Sequence, residues 1–198
     1  MPIIEIFESP EKSYVFMEAF ETDLFKRIKR DGAFKERDGL RIGKEVGSGL
    51  LYLHRLGVAH ENLKSHHIMF RGRGPAVITG FGWAVVSYDD DKNEAIRQKG
   101  SAKQKFHHDF APEKMLDDVY DPSAADVWSF GALIVSILTK EHPYEPKSQH
   151  RVDVQWKLAF KKAGVRLTDR VHDLLETCFA LEPASRGSMI DIMAHFDK

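Results

Sequence analysis

Short runs of β-branched and aromatic residues near the start of the chain predict a β-hairpin. Residues 3–7 and 14–17 are two such runs, and the polar segment 10–12 lies between them. A short polar link between runs of this kind is typical of antiparallel strands that are joined by a turn. The same pattern predicts a second hairpin over residues 66–79, with its turn at 71–75.

The apolar positions that follow the first hairpin have the spacing of amphipathic helices. Leu24, Phe25 and Ile28 predict a short helix that ends at Gly32. Because an interior glycine costs about 1 kcal/mol relative to alanine, we expect the next helix, which contains three glycines, to be buried against a close neighbour. The apolar residues of this longer helix, which ends at Gly57, are Leu40, Val46, Leu50 and Leu53, and its glycines are Gly43, Gly47 and Gly49.

Two serines in the second half of the chain have the spacing of helix caps. Ser123 and Asp126 precede an almost wholly apolar run that ends at Leu138, which predicts a helix buried on all sides. Ser188 and Asp191 predict the start of a last helix in the same way. A further helix between them is predicted from the spacing of Val171, Leu174, Leu175, Cys178 and Phe179.

Residues 80–112 show neither helical nor strand periodicity. The segment begins with acidic residues at 89–91 and continues with basic and polar residues at 97–105. We therefore predict a long irregular loop, and loops of this length in compact domains are usually functional or disordered. The basic stretch contains no aromatic residue on which a base could stack, so we expect no nucleic-acid partner.

The composition fits a single domain of the α+β class in which helices dominate. The chain has 198 residues, of which 42% are hydrophobic, and this supplies one sizeable core but not two. Its 29 basic and 30 acidic residues give a net charge of -1. A charge so close to zero provides no general attraction to nucleic acids or to acidic lipids.

The single cysteine and the lengths of the apolar stretches indicate the cellular compartment in which the protein occurs. Cys178 is the only cysteine, so no disulfide can form within the chain, which fits a reducing environment. Glutamates within residues 1–20 are incompatible with a secretory signal, and the longest apolar stretch, residues 131–138, is too short to span a bilayer. We therefore expect a soluble cytoplasmic or nuclear protein with no membrane partner.

Five motifs, in a fixed order, carry a resemblance to a protein family. Residues 60–67 read HENLKSHH, residues 80–82 read GFG, residues 111–113 read APE, residues 126–131 read DVWSFG, and Arg186 follows. With hairpin and helix elements between them, these motifs resemble the catalytic loop, the DFG, APE and DxWSxG motifs and the late arginine of eukaryotic protein kinases. The resemblance extends over most of the chain.

The resemblance implies the carboxy-terminal lobe of a protein kinase, here called the C-lobe, with a remnant of the amino-terminal lobe. It implies one partial domain over residues 1–198, in which residues 1–20 form the remnant hairpin and hinge and residues 21–198 form the C-lobe. Residues 80–113 then correspond to the activation segment. No part of the sequence matches the glycine-rich phosphate loop or the VAIK lysine strand, so we expect the roof of the nucleotide cleft to be missing.

Three positions that carry the chemistry in the family hold other residues in this chain. Kinases use a carboxylate as the base, and an Asp and an Asn as ligands of Mg²⁺. By the resemblance, Asn62 occupies the position of the base, His67 that of the metal-binding Asn and Gly80 that of the metal-binding Asp. Lys64 corresponds to the lysine on the phosphate side, and it favours the Ser/Thr branch. We therefore expect no competent catalytic residue and no metal.

The resemblance also identifies what is left of the nucleotide cleft. Met17 corresponds to the gatekeeper, Glu18 and Phe20 lie in the hinge, and Met69 lies beneath an adenine. Several histidines could suggest a zinc site instead, but no HExxH pattern or cysteine partner accompanies them. These histidines are His60, His66, His67, His107 and His108.

Other matched residues are expected to be structural. By the resemblance, His60 packs with Phe81, and Glu113 pairs with Arg186 beneath the long loop. Asp126 is expected to be a buried acceptor that holds the backbone of the catalytic loop.

Glu61 stands where the family has an arginine that binds a phosphate of the activation segment. Its charge has the opposite sign, so we expect a phosphate on Ser87, Tyr88 or Ser101 to be repelled.

These departures favour a pseudokinase that acts as a protein-interaction or scaffolding module without phosphoryl transfer. An active kinase or the substrate of such a kinase is then the expected protein partner, and no cofactor is expected. The alternative is a divergent or truncated ATP-dependent Ser/Thr kinase that uses ATP and Mg²⁺. A gene remnant without a selected function remains a third interpretation.

Overall fold

The amino-terminal hairpin is exposed along its whole length. Ile3–Glu8 (β1) pairs antiparallel with Ser13–Met17 (β2), as predicted, and every residue of both strands is exposed. The rings of Phe7 and Phe16 meet edge to face, with their centroids 5.7 Å apart. The structure is a computed structural model that describes residues 3–101, 103, 107–145 and 151–197.

The other strands are short, and most of them pair with segments that are distant in sequence. They are Thr22–Asp23 (β3), Val58–Ala59 (β4), Ile68–Phe70 (β5), Val77–Ile78 (β6), Val85–Val86 (β7), Tyr88–Asp89 (β8), Glu94–Ala95 (β9), Gln98–Lys99 (β10) and Val119–Tyr120 (β11). β5 and β6 form the second predicted hairpin, and β3 pairs with the free edge of β5. The remaining pairs are β4 with β7, β8 with β9, and β10 with β11.

The segment 80–112 is therefore more ordered than the sequence predicts. β7 joins it to the start of the catalytic loop through β4, and β10 joins it to β11 just before the long core helix. The prediction of an irregular loop was wrong for these parts because each strand has only two residues, which is too short to show a period. Residues 102 and 104–106 of the predicted loop lie outside the described residues.

Six α-helices follow the hairpin in the described part of the chain. They are Leu24–Asp31 (α1), Glu36–Arg55 (α2), Pro122–Thr139 (α3), Val152–Ala163 (α4), Asp169–Cys178 (α5) and Met189–Ala194 (α6). The sequence predicts all of these except α4. That helix escapes the pattern because apolar residues occur on both of its faces: Val154 and Leu158 are exposed, while Trp156 is fully buried.

Close packing of α2 explains its glycines. A Cβ atom at Gly43 would lie 2.6 Å from Cδ1 of Ile134 in α3, and one at Gly47 would lie 2.7 Å from Sδ of Met193 in α6. Contacts this short leave no room for a side chain. The prediction that the glycines permit a close approach is confirmed, since α2 contacts both α3 and α6.

The helix α3 is the centre of the core. By length and composition it could cross a membrane, but 83% of it is buried inside the fold, as in the core helix of a globular domain. Trp128 is fully buried and meets the rings of Tyr144 and Phe179 edge to face. The predicted burial on all sides is confirmed.

One of the two predicted helix caps is wrong. The cap of α3 is Asp121, whose carboxylate accepts hydrogen bonds from the amides of Ser123 and Ala124. Pro122 takes the first helical position, where its missing N–H costs nothing, so the helix starts before Ser123. The cap of α6 follows the prediction, with Ser188 and Asp191 forming a reciprocal capping box.

Candidate functional site

The catalytic-loop segment after β4 is held by a buried carboxylate. Asp126 in α3 accepts hydrogen bonds from the backbone amides of His60 at 2.6 Å and Glu61 at 2.8 Å. The ring nitrogen Nε2 of His54 lies 3.1 Å from the same carboxylate. Because Asp126 is only 1% exposed, these contacts compensate for the loss of hydration of its charge. The core helix therefore fixes the backbone of this segment.

His60 links the segment to the start of the long loop. Its Nε2 lies 2.8 Å from the carbonyl oxygen of Thr79, and its ring meets Phe81 edge to face, with centroids 5.1 Å apart. Burial lowers the pKa of His60 below its usual value, so the ring is neutral at pH 7. A neutral, fully buried imidazole of this kind acts as a packing residue.

The positions of the base and the two metal ligands come together in the structure, but their side chains leave no metal site. Nδ1 of His67 lies 2.7 Å from the backbone oxygen of Asn62. Gly80 has a φ of +82°, and a Cβ atom built on it would lie 2.5 Å from Cγ of the His67 ring. The imidazole therefore fills the space into which a side chain at position 80 would project. The residues present do not fit Mg²⁺.

The protonation of His67 follows from its surroundings. Burial is the largest cause that lowers its pKa, and the charge of Lys64 lowers it further, so the ring is neutral at pH 7. Since Nδ1 faces a carbonyl oxygen, that nitrogen carries the proton and donates it, which leaves a lone pair on Nε2. The pKa of His66 is also lowered, mainly by burial and further by the charge of Lys64.

The remnant of the nucleotide cleft is open. Met17 is 39% exposed at the end of β2, and Met69 is half-buried in β5. Glu18 forms an ion pair with Arg71, whose guanidinium lies 5.8 Å from the ring of Phe20. These contacts hold the hinge against the β5–β6 turn.

A cavity of about 410 Å³ lies on another side of the fold, between α2, α3 and the start of α6. Among the described residues, no group of three or more His, Cys, Asp or Glu side chains could hold a metal ion.

Glu113 and Arg186 form a pair in which both ends of the guanidinium contact the carboxylate. Nη1 of Arg186 lies 2.5 Å from Oε1 of Glu113, and Nη2 lies 3.2 Å from Oε2. The arginine side chain is fully buried, and the glutamate side chain is 11% exposed. The guanidinium also donates to the carbonyl oxygens of Ala124 and Ala180. The pair ties the end of the long loop to the turn before α6.

A second buried ion pair, which the sequence reasoning missed, involves Glu61. Its carboxylate lies 2.7 Å from Nζ of Lys114 and accepts a hydrogen bond of 2.6 Å from the hydroxyl of Tyr120. The side chains of Glu61 and Lys114 are 7% and 3% exposed. The available signal was a lysine directly after the APE motif, opposite in charge to the glutamate that replaces the family's arginine.

The match to a family model agrees with this fold and with the order of the motifs. The model of the protein kinase domain matches residues 1–196. The chain therefore belongs to the protein kinase family, and its helical lobe with small antiparallel sheets is that of a kinase.

Similar curated proteins are Ser/Thr kinases. The human serine/threonine-protein kinase H2 is 34% identical over 76% of this chain and 38% of its own length. The human serine/threonine-protein kinase H1 is 26% identical over 98% of the chain and 46% of its own length. The putative sperm motility kinase W of mouse is 28% identical over 87% of the chain and 33% of its own length. The chain thus spans less than half the length of these relatives.

Proposed function

We propose that this member of the protein kinase family is a pseudokinase that works as a protein-interaction or scaffolding module. The observation that carries the proposal is the imidazole of His67 packed over Gly80, at the place where kinases bind Mg²⁺. A metal ion there would have to displace the ring and would find no carboxylate at position 80. Nucleotide phosphates would then lack the charge that balances them during transfer.

The position of the base supports the same proposal. Asn62 carries an amide, which cannot accept a proton near neutral pH. Loss of a general base alone lowers a rate by about 10²- to 10⁴-fold, and the loss of metal ligands adds to that loss. Phosphoryl transfer depends on positioning and on charge stabilisation, and both are weakened at this site.

The exposed hairpin supports the interaction part of the proposal. Ile6, Phe7, Tyr14 and Phe16 are each at least 50% exposed, in a two-stranded sheet with two open edges. Exposed apolar side chains on both faces of a hairpin are typical of protein contacts, and an isolated hairpin is marginal in water. We propose an active kinase or its substrate as the partner, in the cytoplasm, without a cofactor.

The experiment combines nucleotide binding with phosphoryl transfer. A ligand at about 100 times its Kd stabilises a fold by roughly 2.7 kcal/mol, so binding of ATP with Mg²⁺ would raise the Tm visibly. We expect no metal-dependent rise in Tm, and no phosphate incorporation into a generic Ser/Thr substrate above a blank without protein. A Tm rise that requires Mg²⁺, or transfer above the blank, would contradict the proposal.

A divergent Ser/Thr kinase is the second candidate because Lys64 is retained beside a neutral His67. Lys64→Met distinguishes the two functions if transfer is detected. Transfer that is lost in this variant would support the divergent kinase, whereas a contaminating activity would be unchanged.

A further inference from the structure

The buried pair of Glu61 and Lys114 connects two parts of the chain that are far apart in sequence. Besides the carboxylate, Nζ of Lys114 donates to the backbone oxygen of Glu61 at 2.7 Å. The ammonium also lies 4.7 Å from the centre of the Phe110 ring. Three contacts therefore position a single ammonium group that is almost completely removed from water.

Lys114 extends this connection into the middle of the long loop. Its backbone oxygen accepts a hydrogen bond from the amide of Ser101 at 3.1 Å, and the amide of Gly100 donates to Asp118 at 2.8 Å. Tyr120, which donates to Glu61, belongs to β11, and β11 pairs with β10. The pair is thus the point at which the catalytic loop, β10 and β11 meet.

The backbone at Glu61 is itself constrained. Its φ is +65°, an unusual value for a residue with a side chain, and its amide is held by Asp126. The carboxylate therefore points in one direction, toward Lys114 and Tyr120. Its second oxygen, Oε1, is buried without a hydrogen-bond partner within the described residues. An anionic group that approached this place would meet a carboxylate.

From these contacts we propose that Glu61, Lys114 and Tyr120 form an internal latch that orders the segment made up of residues 97–101 and 110–120 without phosphorylation. Both charges of the latch belong to the chain, so no added phosphate is needed to bring the segment against the catalytic loop. The latch is independent of the proposed pseudokinase function, because it concerns the order of the segment and not the chemistry of the cleft.

Hydrogen exchange at the amides of Gly100 and Ser101 tests the latch in the full chain. Lys114→Met keeps the length of the side chain and removes its charge, so we expect exchange at both amides to be at least tenfold faster. Exchange at Ile68 and Ile78, which pair across the second hairpin, should not change and serves as the internal control. Unchanged exchange at Gly100 and Ser101 would overturn the proposal.

Two further variants keep the test decisive if Lys114→Met fails to fold. Tyr120→Phe removes a single hydrogen bond to Glu61, and we expect a smaller acceleration confined to the same amides. Tyr88→Phe is the matched control, because within the described residues the hydroxyl of Tyr88 bonds to Asn93, in the exposed part of the loop, and not to the latch. Equal effects of the two variants would overturn the proposal.

A phosphomimetic substitution tests whether the order of the segment is independent of phosphorylation. Ser101→Asp should leave the exchange of the Gly100 amide within about twofold of the parent chain. A tenfold slowing in this variant would overturn the proposal, because it would show that an added negative charge orders the segment.

Discussion

At the scale of single residues, the packing of His67 depends on the glycine at position 80. Glycine adopts the positive φ at this position without strain. Because it has no side chain, the imidazole of His67 can occupy the space beside it. The sequence identifies both positions through the resemblance to kinases. It does not show that they touch, because their contact depends on how the catalytic loop meets the turn that follows β6.

The first prediction concerns this contact. Gly80→Ala should lower the free energy of unfolding by about 1–3 kcal/mol through overpacking, and by about 1 kcal/mol more through the positive φ. Gly82→Ala is the matched control, since a Cβ atom there would have no neighbour within 4 Å. Urea unfolding measures both. Equal losses in the two variants would show that the ring of His67 does not restrict position 80.

The second prediction concerns pH. Burial is the main cause that lowers the pKa values of His60, His67 and His142 below 6.5. Below about pH 6.5 the unfolded chain binds protons that these folded imidazoles do not, so the free energy of unfolding should fall as the pH falls. Urea unfolding at pH 7.5 and 5.5 measures the decrease. His67→Asn should reduce it, and an unchanged decrease in that variant would argue against a role for His67.

At the scale of elements, the chain shows which parts of a fold can be read from sequence. The helices α2, α3 and α5 were predictable because each carries one strong local pattern. The helix α4 was not, since apolar residues on both faces hide its period, and the cap of α3 was misplaced because Pro122 competes with Ser123. The pair of Glu61 and Lys114 spans 53 positions, a separation over which no local pattern operates.

The third prediction concerns the link between the long loop and the turn before α6. Removing one partner of a buried ion pair costs about 3–5 kcal/mol, compared with roughly 0–1 kcal/mol for an exposed pair. Arg186→Ala should therefore lower the free energy of unfolding severely, and Glu113→Ala by a similar amount, because it leaves the fully buried guanidinium of Arg186 without its carboxylate. The double variant should lose much less than the sum. Additive losses in urea would mean that the two side chains do not act together.

At the scale of the whole molecule, a kinase C-lobe surrounds a cleft in which three positions differ from the family pattern. The anchors of the catalytic loop, Asp126 and His60, make their contacts within the core. The three positions that differ from the family, Asn62, His67 and Gly80, are half-buried rather than part of the core. Stability of the lobe and chemistry of the cleft therefore rest on different residues.

The fourth prediction follows from this separation. The triple variant Asn62→Asp, His67→Asn, Gly80→Asp supplies a base and two metal ligands, but no part of the sequence matches the phosphate loop or the VAIK lysine. We expect no phosphate incorporation above the parent chain, because the phosphates stay unpositioned. The Asn62→Asp single variant is the control, and clear transfer by the triple variant alone would contradict the prediction.

The packing of the imidazole over Gly80 also constrains the order in which substitutions could reverse the loss of metal binding that we propose. A carboxylate introduced first at position 80 would collide with the ring and reduce the fitness of the intermediate through instability. Replacement of His67 would have to come first, although it brings no catalytic advantage by itself. Under the proposed function, epistasis between these two neighbouring positions blocks a direct return to metal binding by single substitutions.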